Sequence, residues 1–176
     1  MDLRSLVLTA DFGSRITTTF GDAGRQWLTE LSAIATVCAE TWHLSLEDPY
    51  PEPSYQLVFR ATGPSGNRLA LKLGVPRDEL RHEADALRVW AGQGTVRLID
   101  DDPGRGALLL ERIEPGTQLA DVAAIDDDRA TEIGAAVMRR VAHAGAVDPD
   151  LDHRGSIAFP TLREWGMGFD RYLRAH

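Results

Sequence analysis

Several features that would define a class of protein are scarce or missing in this sequence. Its 176 residues include one cysteine, Cys38, so an internal disulfide is excluded, and the apolar surroundings LSAIATVCAE favour a small buried thiol over a nucleophile. No apolar stretch approaches the roughly 20 residues that cross a bilayer, and the opening MDLRSLVLTADFGSR lacks the apolar core of a signal peptide. We therefore expect a cytoplasmic protein that does not enter a membrane.

Clustered positive charge is also missing. The chain has 19 Lys and Arg against 27 Asp and Glu, which gives a formal net charge of −8. Because binding to a phosphate backbone needs grouped cations, a nucleic-acid partner is not expected. The runs 100–102 and 126–128 consist of aspartates and are interpreted as solvated loops and helix caps, with attraction of a cationic ligand as the alternative.

The first half of the chain predicts a helix followed by three strands. Asp22 can cap a helix that runs to about Thr41, with apolar side chains at helical spacing. Residues 43–75 alternate apolar and polar side chains in three runs, and the turn GPSGN joins the second and third runs as a hairpin.

The second half predicts two more strands between helices. A helix from about Pro76 to Trp90 ends at AGQG, and the strands TVRLIDD and ALLLERI then form a second hairpin. Residues 107–110 are continuously apolar, as expected of a strand buried on both faces. After the linker EPGTQL, helices are predicted over about 128–144 and from the capping box at Thr161 onward.

Two charged residues lie on elements whose other side chains predict a packed face. In RLALKLG the three leucines share one face of the strand, which places Lys72 on the other face. On the next helix, Glu83 lies on the apolar stripe. Because a buried carboxylate is costly unless it is paired, we expect a Lys72–Glu83 ion pair; a solvent-facing Lys72, or a Glu83 that reaches a surface edge, are the alternatives.

A strand lysine held by a helix glutamate beside a five-stranded sheet is how kinases place an ammonium on the α- and β-phosphates of a nucleotide. The strand ALLLERIEPG would then leave the sheet along an adenine pocket, with Leu110 behind the base. The Glu111 carbonyl and the Ile113 N–H would bind the edge of the adenine. The alternative is an ordinary core strand that enters a turn.

The stretch from SYQLVFRATG through EIGAAVMRRV and FPTLREW resembles the aminoglycoside/hydroxyurea antibiotic-resistance kinases over roughly positions 20–170. LKLGVP, the E-x-x-ALR after it, GRGALLLER and PGT carry the resemblance together. It implies phosphorylation of a hydroxyl on a cationic, streptomycin-type aminoglycoside or on hydroxyurea, with ATP and Mg²⁺ as cofactors. It assigns the phosphate contact to Lys72, its partner to Glu83 and the hinge to 111–113.

The fold implied by this resemblance is α+β, a protein-kinase-like N-lobe with flanking helices. The lobe consists of a five-stranded antiparallel sheet plus a helix and is assigned to 43–114. An N-terminal helical extension occupies 1–42. The linker and the first helices of a truncated C-lobe occupy 115–176.

Two departures from the family pattern limit the predicted chemistry. The loop expected to cover the phosphates, PYPEPSY, has no glycine and two prolines without N–H groups, which leaves the Ser54 hydroxyl and the Ser54 and Tyr55 amides as candidate contacts. None of the five histidines begins the His-x-Asp of the catalytic loop, and VDPD at 147–150 is interpreted as a turn. We therefore assign no catalytic residue or metal ligand and expect the chain to be inactive alone.

Other motifs are incomplete, and two other functions remain open. HEADA lacks the second histidine of a zinc site, GPSGNR is no Walker A loop, and no Gly-x-Ser-x-Gly elbow occurs. One alternative function is a non-catalytic binding or assembly module. It would associate with itself or with a partner through an apolar stripe on the last helix formed by Trp165, Phe169, Tyr172 and Leu173. The other is a different small-molecule kinase of the same superfamily.

Overall fold

A computed structural model describes residues 9–144 together with Arg163 and Gly166. The chain divides into two compact units, 1–146 and 147–176, and the elements given below lie in the first. Arg163 and Gly166 belong to the last predicted helix; the residues of its apolar stripe, and the turn at 147–150, lie outside the described residues. Self-association through that helix and the three domain boundaries remain predictions.

The first unit is an α+β fold with the predicted order of elements and one short additional helix. Its strands are β1 Ser45–Pro49, β2 Leu57–Thr62, β3 Arg68–Leu73, β4 Leu98–Asp102 and β5 Ala107–Glu111. Its helices are α1 Ala10–Thr41, α2 Asp78–Trp90, α3 Leu119–Ala123 and α4 Asp127–Ala144. In the described part of the chain, none of the helices combines the length and apolar character that a membrane span requires.

The five strands form one antiparallel sheet in the order β1-β2-β3-β5-β4, which confirms the predicted fold class. β3 lies at the centre, and Lys72 pairs with Val58 of β2 and with Leu108 of β5. The hairpin turn GPSGN closes with a hydrogen bond from the Gly63 N–H to the Asn67 carbonyl, 2.9 Å long. Residues 107–110 are buried throughout, as the apolar run predicted.

The two faces of the sheet are covered by different helices. Leu71 and Leu73 belong to an apolar cluster with buried side chains of α1. Ala70, on the opposite face of β3, packs with Leu80 and Leu87 of α2. The division of β3 into a leucine face and a Lys72 face is therefore confirmed, and Lys72 lies on the face that α2 covers.

α1 reverses its direction at Gly21, which has φ 58° and ψ −132°. The rings of Phe12 and Trp27 pack edge to face with centroids 6.3 Å apart, whereas a straight helix would separate them by roughly 22 Å at 1.5 Å per residue. At Gly24 an added Cβ would lie 2.6 Å from the Ile16 carbonyl oxygen, so the two segments touch. We call Ala10–Phe20 the first arm of α1.

After the reversal at Gly21 a second helical segment runs to Thr41, which agrees with the predicted start near Asp22; the first arm, which is helical as well, was not predicted. The Thr9 side chain caps it by accepting a hydrogen bond from the Phe12 N–H, 3.3 Å long. Phe12 and Ile16 are fully buried in the core that α1 shares with the sheet. Burial of these side chains offsets the low helix propensity of Ser14 and of the threonines at 17–19 in the same arm.

The predicted position of Pro76 in the first turn of α2 is also wrong. Arg77 is extended, with φ −156° and ψ 167°, and the helix begins at Asp78. The Gly74 N–H donates to the Gly106 carbonyl, 2.9 Å away, which holds the preceding chain against the β4–β5 turn. The helix ends as expected, with Ala91 in the left-handed conformation.

The two aspartate runs have different environments. Residues 100–102 lie in β4 rather than in a solvated loop, so that interpretation is wrong for this run. Their carboxylates are partnered: Asp100 with the Trp42 indole N–H at 2.8 Å, Asp101 with Arg88, and Asp102 with Arg105. In the second run, Asp126 accepts from the Arg129 N–H at 2.9 Å, which confirms the helix cap.

Candidate functional site

A cavity of about 560 Å³ lies on the face of the sheet that α2 covers. Its walls are the loop 50–54, the apolar side chains Val58 and Ala70, and the segment 110–113 where β5 leaves the sheet. Lys72 and Glu83 line it as well. Six of the seven residues predicted to bind a cofactor therefore meet at one cavity.

Lys72 and Glu83 form the predicted ion pair. Lys72 Nζ lies 2.5 Å from Glu83 Oε1, and the side chains are 18% and 32% exposed. The position of Lys72 in β3 places its side chain on the face that α2 covers. The buried Leu80, Ala84 and Leu87 orient α2 so that Glu83 faces Lys72. Lys72 is also the only lysine in the sequence, so no other side chain carries a primary amine.

Gln56 is a member of the site that sequence reasoning missed. Its Nε2 donates a long hydrogen bond of 3.5 Å to Glu83 Oε2, the oxygen that Lys72 does not contact. Gly74 leaves room for it, because an added Cβ would lie 3.1 Å from Gln56 Cγ. Gln56 comes directly before β2, whereas α2 follows only after β3. Nothing in the sequence around Gln56 therefore predicts its contact with α2.

The exit of β5 presents an apolar surface and a free donor to the cavity. Leu110 is 7% exposed and lies on the cavity face. The Glu111 side chain turns toward Arg97, accepting from its N–H at 2.8 Å. Within residues 9–144, no acceptor binds the Ile113 N–H, so this donor is available to a ligand. The roles of Leu110, Glu111 and Ile113 in binding a base remain predictions.

The two loop residues predicted to contact phosphates lie in different places. Ser54 lines the cavity. The Tyr55 ring does not; it packs edge to face against Phe20, with centroids 6.2 Å apart. Phosphate contacts by the Ser54 hydroxyl and by the Ser54 and Tyr55 amides remain predictions.

A group of charged side chains borders the cavity beyond the exit of β5. The Arg112 side chain is 8% exposed and lies 3.2 Å from Glu47 and 3.1 Å from Glu114. Glu114 also pairs with Arg68. The hydrogen bond from Arg68 holds the pKa of the Glu114 carboxyl below its usual value; desolvation opposes this shift and the Arg112 charge reinforces it. This group was not predicted, because Glu47 and Arg68 are far in sequence from Arg112 and Glu114.

Cys38 is a buried thiol, as expected, and not part of the site. Burial raises its pKa to about 11; the nearby Asp102 charge adds to this shift and Arg105 opposes it. A thiol with so high a pKa carries little thiolate at neutral pH, and thiolate is the nucleophilic form.

The described residues fit a nucleotide better than a metal ion. The cavity combines a half-buried ammonium, an apolar floor and a free backbone donor, which suit phosphates and a base. Among residues 9–144, by contrast, no group of three or more His, Cys, Asp or Glu side chains could hold a metal ion. No step is therefore assigned to Mg²⁺, and its binding stays a prediction.

A five-stranded antiparallel sheet whose central lysine pairs with a helix glutamate defines a kinase-like N-lobe. The model of the aminoglycoside/hydroxyurea antibiotic resistance kinase family matches residues 41–151. Since this match covers more than half of the chain, the protein belongs to that family.

Individual relatives agree with the family match. The chain is 35% identical over 144 residues to a streptomycin 6-kinase of Streptomyces griseus, which covers 82% of this chain and 46% of the relative. It is 34% identical over 145 residues to the streptomycin 6-kinase of Streptomyces glaucescens, with the same coverage. It is 35% identical over 121 residues to a hydroxyurea phosphotransferase of Kitasatospora aureofaciens, covering 69% of this chain and 36% of the relative. The chain thus spans about half the length, or less, of the curated relatives it matches.

Proposed function

We propose that these 176 residues form the nucleotide-binding half of an ATP-dependent phosphotransferase. Its acceptor would be a hydroxyl of a streptomycin-type aminoglycoside or of hydroxyurea, the compounds named for its relatives. The proposal rests on one observation. The Lys72–Glu83 pair lines the same cavity as residues 110–113, where β5 leaves the sheet.

The charges of this pair suit a triphosphate. The Lys72 ammonium would offset the charge of the α- and β-phosphates, while Glu83 fixes its position. The Lys72 ammonium has three N–H donors and gives one of them to Glu83 Oε1, so the others would be left for phosphate oxygens.

The exit of β5 would bind the base. Leu110 would lie behind the adenine, and the Glu111 carbonyl and Ile113 N–H would make two hydrogen bonds to its edge. An apolar wall with a few placed backbone groups is typical of small-molecule sites.

The single lysine gives a direct test. An acyl-phosphate derivative of ATP transfers its acyl group to an amine held beside the phosphates, forming an amide and releasing the nucleotide. We expect one acyl group on Lys72, identified by peptide mass spectrometry, and suppression of the label by excess ATP but not by inorganic phosphate. Lys72→Arg is the matched control and should take no label at this position. Labelling that ATP does not suppress would overturn the proposal.

Turnover is a separate part of the proposal. The sequence has no His-x-Asp motif to supply a catalytic base, so the chain alone should not phosphorylate streptomycin or hydroxyurea. Transfer of radiolabelled phosphate to either compound, lost on Lys72→Ala, would refute this part and leave the ATP site intact.

A further inference from the structure

The first arm of α1 lies outside the segment 41–151 that matches the family, yet it contacts the loop that walls the cavity. Arg15 Nη2 donates to the Pro53 carbonyl at 3.4 Å. Phe20 packs edge to face against Tyr55, with ring centroids 6.2 Å apart. These two contacts hold the end of the loop that leads into β2.

Phe20 also contacts the start of α2. The Arg77 guanidinium lies 5.1 Å from the centroid of the Phe20 ring, within the range of a cation–π interaction. Arg77 directly precedes α2, the helix that carries Glu83. Phe20 therefore connects the loop to the helix that positions Lys72.

The loop 50–55 needs such support because of its own sequence. It contains no glycine, and Glu52 adopts φ 56°, a left-handed conformation that is unfavourable for residues with a Cβ. The start of the loop is held by the sheet, since the Tyr50 N–H donates to the Val58 carbonyl at 2.8 Å. Its other end has the first arm of α1 as its neighbour. A cavity of about 270 Å³ beside Phe20 and Tyr55 leaves room for the loop to shift when the ring contact is lost.

We infer that Phe20, supported by Arg15, is a positioning residue that holds the loop 50–55 over the phosphates of a bound nucleotide. The inference rests on the proposed function. It implies that the first arm contributes to the affinity for the triphosphate more than to the affinity for the nucleoside, because the loop leads into Gln56, which contacts the Glu83 partner of Lys72, whereas the base would lie at 110–113.

Calorimetric titration of the 176-residue chain with ATP and with adenosine separates these contributions. The energy of one edge-to-face aromatic contact sets the expected change in affinity. Phe20→Leu should therefore weaken ATP binding about tenfold and leave the adenosine affinity unchanged within about twofold. Phe12→Leu is the matched control: it is the same substitution in the same arm, but Phe12 packs against Trp27 and not against the loop. That variant should unfold at a lower temperature and keep the wild-type ratio of the two affinities. An equal loss for both ligands, or no loss in Phe20→Leu, would overturn the inference.

Hydrogen exchange without any nucleotide tests the same contact independently. In Phe20→Leu and Arg15→Ala, the amides of 50–56 should exchange faster than in the wild type, while those of β3 and β5 keep their protection. Unchanged exchange in the loop would refute its support by the first arm. If the wild type binds neither ATP nor adenosine, the proposed function fails, and the exchange result still decides whether the first arm holds the loop.

Discussion

Lys72 and Glu83 are joined across two elements of the fold, with 2.5 Å between Nζ and Oε1 and about a fifth and a third of their side chains exposed. An ion pair of this kind lies between two known cases. Exposed pairs contribute little to stability, whereas breaking a fully buried pair leaves an uncompensated charge. The pair should therefore be measurably coupled.

A double-mutant cycle measures that coupling. We expect Lys72→Met and Glu83→Gln, singly and combined, to give a coupling free energy of unfolding of about 1–2 kcal/mol by urea denaturation. The matched cycle uses the exposed pair of Arg129 and Glu132, whose Nη1–Oε2 distance is 3.1 Å. Its coupling should stay below about 0.5 kcal/mol. Equal coupling in the two cycles would show that the half-buried position adds nothing.

Gly106 should tolerate no side chain. An added Cβ would lie 2.1 Å from the Gly74 carbonyl oxygen, and φ is +65°. The clash and the left-handed conformation together predict that Gly106→Ala lowers the free energy of unfolding by about 3 kcal/mol. Gly66 is the control, because its φ is +75° but nothing lies within 4 Å of an added Cβ; Gly66→Ala should cost about 1 kcal/mol. Chemical denaturation of both variants decides, and similar losses would contradict the predicted clash.

The Cys38 thiol should be unreactive in the folded protein. Burial raises its pKa from 9.0 to about 11, so at pH 8 a thiol reagent should label it about 100-fold more slowly than in the urea-unfolded chain. Because the folded pKa is the higher one, the stability linked to this group is present below pH 9 and is lost as the pH rises toward 11. Rapid labelling of the folded chain at pH 8 would contradict the buried thiol.

Glu114 should stay ionised in moderately acidic solution. Its hydrogen bond with Arg68 lowers its pKa, with desolvation opposing and Arg112 assisting. Since the folded pKa is the lower one, the linked stability is present above the ordinary value near 4.5 and is lost as the pH falls through the folded value. Titration of the Glu114 carboxyl carbon by NMR checks this. Arg68→Ala should shift the midpoint upward, and an unchanged midpoint would rule out Arg68 as the cause.

Residues close in sequence were the most predictable parts of this site. Lys72 and Glu83 are 11 positions apart, on a strand and on the helix that follows it, so strand alternation and helical spacing together predicted their contact. The hairpin at GPSGN and the burial of 107–110 followed from equally local patterns.

Contacts made by the first arm were not predictable in the same way. Phe12, Ile16 and Phe20 are spaced by four, a helical signal, but Ser14 and the threonines at 17–19 between them are weak helix formers, and the predicted helix began only at Asp22. The reversal at Gly21 brings Phe20 to Tyr55 from 35 positions away in the sequence. No local pattern encodes that meeting, since it depends on how the complete core packs.

The aspartates of β4 affect whether the sheets of two molecules can pair with each other. β4 is an outer strand of the sheet, and outer strands offer unpaired backbone groups to any other chain. Three successive carboxylates there would place like charges against each other if two copies aligned these strands. The same residues that tie β4 to Trp42, Arg88 and Arg105 within the molecule thus discourage the sheet from continuing into a neighbour.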